Sequence, residues 1–179
     1  MEFQQSKTYS NLQSAFHYEL NASTLFSISG DRARQEGYQE IGSIYDIVQG
    51  NAKEHARIWM RRLNNGTLPN TSDLLRSDSE MEKNAGNDMY REYAKTAREE
   101  GFDDIAALFN GVANIDLNHS LQLRTQYEYV VRGEVFCKQQ ERLWICMQCG
   151  NIMFGLCAPV ICPVCGFPQG YYRPYSENE

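Results

Sequence analysis

Two short segments, Cys146-x-x-Cys149-Gly and Cys162-x-x-Cys165-Gly, lie twelve residues apart near the end of this 179-residue chain. Paired knuckles of this kind dictate the fold around them, because four thiolates at that spacing close a tetrahedral cage on one metal ion. Gly150 and Gly166 follow the second cysteine of each pair, where a left-handed turn lets backbone N–H groups aim at the sulfurs. Residues 143–179 are rich in Cys, Gly, Pro and aromatics and have no helical period. A segment of about 37 residues cannot hold a core without such a staple. Spacing alone does not choose between iron and zinc. Cys137 and Cys157 stand outside the pattern and read as free thiols or, for Cys157, as an exchange ligand to the cage.

Upstream the texture is different. Apolar and small residues recur at threes and fours through Leu12, Phe16, Glu19, Ser23 and Phe26, and through Ile41, Ile44, Val48, Ala52, His55 and Trp59. Two further stripes take Leu75, Glu82, Ala85, Met89 and Tyr93, then Ile105, Leu108, Val112, Asp116, His119 and Leu123. Each stripe is one face of a helix. Gly37, Gly66 and Gly101 suit helix ends, and Pro69 lies in the middle linker. "RQEGYQEI" (34–41) repeats as "REEGFDDI" (98–105) at an offset of 64, which also superposes His55 on His119 and Ala52 on Asp116. The expected architecture is mainly α. A four-helix bundle built from two related hairpins spans 1–131, a polar linker 132–142, and a small metal-knuckle domain 143–179.

A net charge of −6 with no basic stripe argues against nucleic acid as a partner. No basic leader followed by an apolar run is visible, and nothing approaches 18 consecutive apolar residues, so neither export nor a membrane span is expected. A cytoplasmic location follows as the expectation. In that reducing compartment the six cysteines read as ligands or thiols, not disulfides.

Each helical stripe carries a group that is costly to bury alone: Glu19, His55, Glu82, and Asp116 with His119. Asp116 and His119 are spaced i, i+3 and share a face. One Glu on each of two helices and carboxylate-x-x-His on the others is the layout of a di-iron carboxylate site.

With Trp144, Pro163 and Tyr171-Tyr172 around its knuckles, the tail resembles rubredoxin, which implies iron, zinc remaining possible. Nearly the whole chain resembles the rubrerythrin family, a ferritin-like di-iron bundle fused to a rubredoxin domain. The matching stretches are "AFHYELNA" around Glu19, "KEHAR" around His55, "DMYREYAKTAREEGF" (88–102) and "CPVCGFPQ" in the second knuckle. The resemblance places the two-iron ligands on Glu19, Ala52 with His55, Glu82 with Ala85, and Asp116 with His119. Two carboxylates are thus alanine and a third is shortened to Asp. Tyr90 matches a family tyrosine that hydrogen-bonds the cluster, and Phe26 stands where another tyrosine is usual.

The resemblance implies reduction of peroxide or oxygen by electrons passing through the four-cysteine iron, with an electron-donor reductase as partner. Glu82, Asp116 and His119, with Tyr90 beside them, would carry what chemistry remains. The expected bundle content is one iron or other divalent ion, or none, and the expected activity is weakened. The alternative is an electron-transfer or structural metal-binding protein whose only working centre is the four-cysteine site.

Helices B and C of a ferritin-like fold run parallel, so their connection must travel the length of the bundle. From His55 to Glu82 is 27 residues, and with helix continuing about nine residues at each side the return is roughly 27 Å. The eight or nine residues left reach roughly 26–30 Å when fully stretched. A homodimer, domain-swapped through this linker, is expected.

Overall fold

Helices form where the three-four stripes run, and glycines with positive φ follow the ends of three of them at Gly37, Gly101 and Gly133. The computed structural model describes residues 2–176. Helix α1 spans Lys7–Gln35 and is capped by Ser6, whose side chain accepts from the backbone N–H of Tyr9 at 3.1 Å. Helix α2 spans Gln39–Leu63. The turn between them is a Schellman motif: Gly37 has φ 92°, Tyr38 N–H donates to Ala33 O at 2.9 Å, and Gly37 N–H donates to Arg34 O at 3.0 Å.

The repeat makes the same turn again. Helix α3 spans Thr71–Asn84, a π-helical turn covers Ala85–Met89, α4 spans Tyr90–Glu99 and α5 Asp103–Arg132. Between α4 and α5, Gly101 has φ 87°, Phe102 N–H donates to Ala97 O at 2.8 Å, and Gly101 N–H donates to Arg98 O at 3.1 Å. The stripe read as the third helix runs on through Ala85–Met89 with one turn widened to π geometry. A π turn inserts one residue into a helix, which accounts for a detail of the repeat. Glu19 and Glu82 are offset by 63, whereas the seam residues beyond the insertion (Gly30 and Ala94, Ala33 and Ala97) are offset by 64.

Small residues form the seams inside both hairpins. Gly30, Ala33, Gly42, Ala52 and Ala56 are buried in the first, and Ala94, Ala97, Ala106, Ala113 and Ser120 in the second. Gly86 in the π turn lies so close to α5 that a Cβ would sit 2.7 Å from Ala113 O. Larger apolar side chains of each hairpin stay exposed: Leu25, Ile28, Ile44 and Ile47 on one, Met81, Leu108, Ile115 and Leu121 on the other.

The described chain divides into two compact units, one ending at Asn70 and the other beginning at Thr71. That boundary falls inside the 1–131 span assigned to one bundle. In the second unit, strand β1 (Cys137–Cys146) takes in residues read as linker. It lies between β2 (Ile152–Cys157) and β3 (Tyr172–Pro174), both antiparallel to it. Trp144, Cys146, Ala158, Cys162 and Tyr172 form this segment's core, with Phe136 packed against it. No helix among the described residues is long and apolar enough to cross a membrane.

Candidate metal sites

The knuckles fold as their glycines require, with φ 77° at Gly150 and 73° at Gly166. They bring the sulfurs of Cys146, Cys149, Cys162 and Cys165 within 4.8 Å of one another. Cys146 Sγ lies 3.7 Å from Cys165 Sγ, and Cys149 Sγ 3.7 Å from Cys162 Sγ. A metal–sulfur bond of about 2.3 Å puts tetrahedral neighbours about 3.8 Å apart, so the cage has the dimensions of a tetrathiolate site. Cys146 and Cys162 are buried, Cys165 is half-buried and Cys149 faces solvent.

The electrostatics also call for a cation. The Tyr172 hydroxyl, with backbone N–H groups of Cys165 and Val164, holds the Cys162 thiol down to about 6 against the cost of burial. Cys165 receives a lowering hydrogen bond from the Phe167 backbone, yet burial and its bonds with the other three thiols push it up to about 12. Cys149 also ends above its usual range: the Asn151 backbone N–H and Cys165 lower it, but burial and its bonds with Cys162 and Cys146 outweigh them. One thiolate forms readily and its neighbours resist, because burial and the hydrogen bonds shared among the thiols favour their protonated form. A dication among them reverses that, as coordinated thiols deprotonate. Asn151 Nδ2 donates to Cys162 Sγ at 3.9 Å and to the Tyr172 hydroxyl at 3.3 Å, so the charge on Cys162 is held by an outer layer that knuckle spacing does not reveal. Trp144 closes the site, fully buried, with its indole N–H donating to Gly155 O at 3.1 Å.

In the helical part of the second unit, α3 supplies Glu82 and α5 supplies Asp116 and His119, and their donor atoms lie within 4.8 Å of one another. His119 Nδ1 is 3.4 Å from Glu82 Oε2. Two donors each about 2.1 Å from one ion lie about 3.0–3.4 Å apart, so these three fit a single divalent ion. Glu82, Asp88, Met89, Tyr90 and Asp116 line one open groove together with Ala85, where the resemblance leads one to expect a carboxylate. Tyr90 is held edge-on against Tyr93 at 6.2 Å and tilted against Phe109 at 6.0 Å.

The first unit repeats half of this arrangement. His55 Nδ1 on α2 lies 3.4 Å from Glu19 Oε2 on α1, the same separation as His119 from Glu82. Ala52, the position equivalent to Asp116, is buried in the seam at 4% exposure and offers no oxygen. Both histidine side chains are about half exposed within their own unit, 53% for His55 and 51% for His119.

The cysteines outside the cage require a correction. Cys137 and Cys157 are joined as a disulfide, not free, because β1 and β2 pair them across the strands with Cα atoms 4.0 Å apart. Strand pairing over a separation of 20 residues is invisible to spacing rules, and the register slips between Cys137 and Arg142, which conceals it further.

Among known proteins, a rubrerythrin from Porphyromonas gingivalis is 32% identical over 184 residues, covering 97% of this chain and 92% of the relative. Rubrerythrin-1 of Clostridium acetobutylicum is 31% identical over 97% of this chain and 96% of its own length. Solved structures of nigerythrin, among them a mixed-valence state, align over 95% of this chain and 87% of theirs at 19% identity with a TM-score of 0.36. No protein-family profile matches the chain.

Proposed function

Because the chain belongs to the rubrerythrin family, we propose that it is a non-haem iron oxidoreductase of reduced power, passing electrons from a four-cysteine iron to peroxide or oxygen. The observation that supports this reading is the coexistence, in one chain, of a tetrathiolate cage and a Glu82–Asp116–His119 cluster with the spacing of a metal-ligand set. The loss of carboxylates at Ala52 and Ala85 is what makes the second ion expensive, since two dications short of anionic ligands repel strongly in a low dielectric.

Iron in the four-cysteine cage would supply reversible one-electron chemistry. The chain's own residues set its surroundings. Cys146, Cys149, Cys162 and Cys165 hold it, and the hydrogen bonds to their sulfurs spread the negative charge. Trp144 keeps water from the inner face, while exposed Cys149 marks the edge where an electron-donor reductase can approach. In the helical cluster Glu82 and Asp116 would supply carboxylate oxygens and His119 a ring nitrogen to a cation, and Tyr90 lines the groove beside Glu82 and Asp116.

The test is to reduce the cage iron without air, add hydrogen peroxide and follow the return of the red ferric absorption. Reoxidation is expected to slow by at least about tenfold in His119→Ala, the usual cost of disturbing a metal ligand shell. A second reading, in which the cage is the only working centre, is favoured by the half-exposed side chain of His119. Equal reoxidation rates in the parent and His119→Ala would select it.

We also propose a homodimer. Each hairpin packs its own seam with small residues and leaves large apolar side chains uncovered. The connection between α2 and α3 is residues 64–70, with Asn65 and Gly66 at φ 54° and 89°, so it is not an extended strand. Seven residues reach about 25 Å at most, short of the return expected along a bundle, and a second copy exchanging hairpins removes that demand. Light scattering should give twice the 20.6 kDa chain mass; a monomer at micromolar concentration rules the dimer out.

A further inference from the structure

The hairpin of β1 and β2 carries sulfur at both ends. At its turn lies the first knuckle, and at its open end lies the Cys137–Cys157 pair, which takes no part in the metal cage. Cys137 is the first residue of β1 and Cys157 the last of β2. They are the outermost pair of the ladder. Pairing resumes at Arg142 with Gly155, and four residues of β1, Lys138 to Glu141, lie against Leu156 alone. Next to the pair, Phe136 packs on the core and its carbonyl accepts from Ala158 N–H at 2.8 Å, so the flanking backbone is fixed whether or not the sulfurs are joined.

Cys157 is exposed and Cys137 half-buried. Exposure leaves the Cys157 sulfur open to a small oxidant, and Cys137 lies directly across the ladder from it. In a reducing compartment, a reachable disulfide that the local fold does not depend on is a redox couple rather than a staple.

We propose that Cys137 and Cys157 form a reversible dithiol–disulfide couple, oxidised by hydroperoxide at Cys157 and closed by Cys137, separate from the metal sites. The Cys157 thiolate attacks one peroxide oxygen; the S–O bond forms as O–O breaks, and the departing hydroxide takes a proton to leave as water. Cys137 then attacks the sulfur of the Cys157 sulfenic acid. The S–S bond forms, S–O breaks, and a second water leaves with the Cys137 proton. Two electrons from the two sulfurs reduce one hydrogen peroxide to two waters. A dithiol reductant reverses the oxidation by exchange and is itself converted to its disulfide. Closure ties the start of β1 to the end of β2, directly after α5 enters this segment.

The test uses the metal-loaded full chain, reduced with dithiothreitol, desalted, given one equivalent of hydrogen peroxide, alkylated and peptide-mapped. Alkylation of Cys137 and Cys157 should fall at least about tenfold and return on adding dithiothreitol, with metal per chain unchanged. Cys137→Ser should leave a dimedone-reactive sulfenic acid at Cys157, and Cys157→Ser should leave Cys137 unoxidised. Retention of the parent metal content in both variants shows that they fold. The proposal is overturned if both thiols stay alkylatable after peroxide, if the disulfide resists dithiothreitol until the protein is denatured, or if either variant loses the cage metal.

Discussion

Cys162→Ser, studied under reducing conditions, should leave the four-cysteine site without metal and the strands around it without a fixed structure. Cys162 is one of two cage sulfurs that are also core, 2% exposed beside Cys146 at 1%. The rest of that core is Trp144, Ala158 and Tyr172. Apolar burial on this scale contributes a few kcal/mol at best, whereas a structural metal in four thiolates contributes about 10 kcal/mol or more of folding free energy. Serine is a poor ligand and cannot accept the hydrogen bonds from Tyr172 and Asn151 as a thiolate does. Metal analysis should fall by one ion per chain, and the near-ultraviolet circular dichroism of Trp144 should flatten while the helical signal remains. Full metal content with an unchanged Trp144 signal would refute the assignment of the cage as the staple.

Ala52→Glu combined with Ala85→Glu should raise the metal bound by the helices and increase peroxide turnover at least about tenfold, the scale on which metal-site support residues act. The two sites differ in what the substitution meets. Ala85 is half-buried in the π turn beside the groove that holds Glu82 and Asp116, so a carboxylate there has room and a nearby cation site. Ala52 is packed into the seam between α1 and α2, and a Glu side chain must push into it at a cost of about 1–3 kcal/mol. An uncompensated carboxylate is costly in such a place, and a bound cation offsets it. The double variant should therefore melt below the parent without metal and recover on adding ferrous ion. Unchanged metal content per chain would show that these alanines are not what limits the site.

The four-helix pattern and the repeat were legible because helical periodicity and glycine turns are local. Gly37 and Gly101 close identical Schellman turns for the same reason that their flanking sequences match. The grouping of Glu82, Asp116 and His119 was legible too, since i, i+3 spacing on α5 and one residue on a facing helix leave little freedom. The π turn was not legible. It changes the phase of α3 against α4 by one residue where Gly86 comes too close to Ala113 on α5 to carry a side chain, and no local signal separates that from a regular α-helix.

The sequence alone determined the cage, because cysteine spacing and the two following glycines leave the four sulfurs one way to converge. The family resemblance, read from the same sequence, set the expectation that Ala52 and Ala85 stand where carboxylates are usual. Only the tertiary structure decided the fate of Cys137 and Cys157, which are joined across strands whose register slips between them. It also decided which residues surround the cage sulfurs, Asn151 and Tyr172 among them. The first depends on a register slip inside the β1–β2 hairpin and the second on pairing of β1 with β3 far along the chain, and cysteine spacing marks neither.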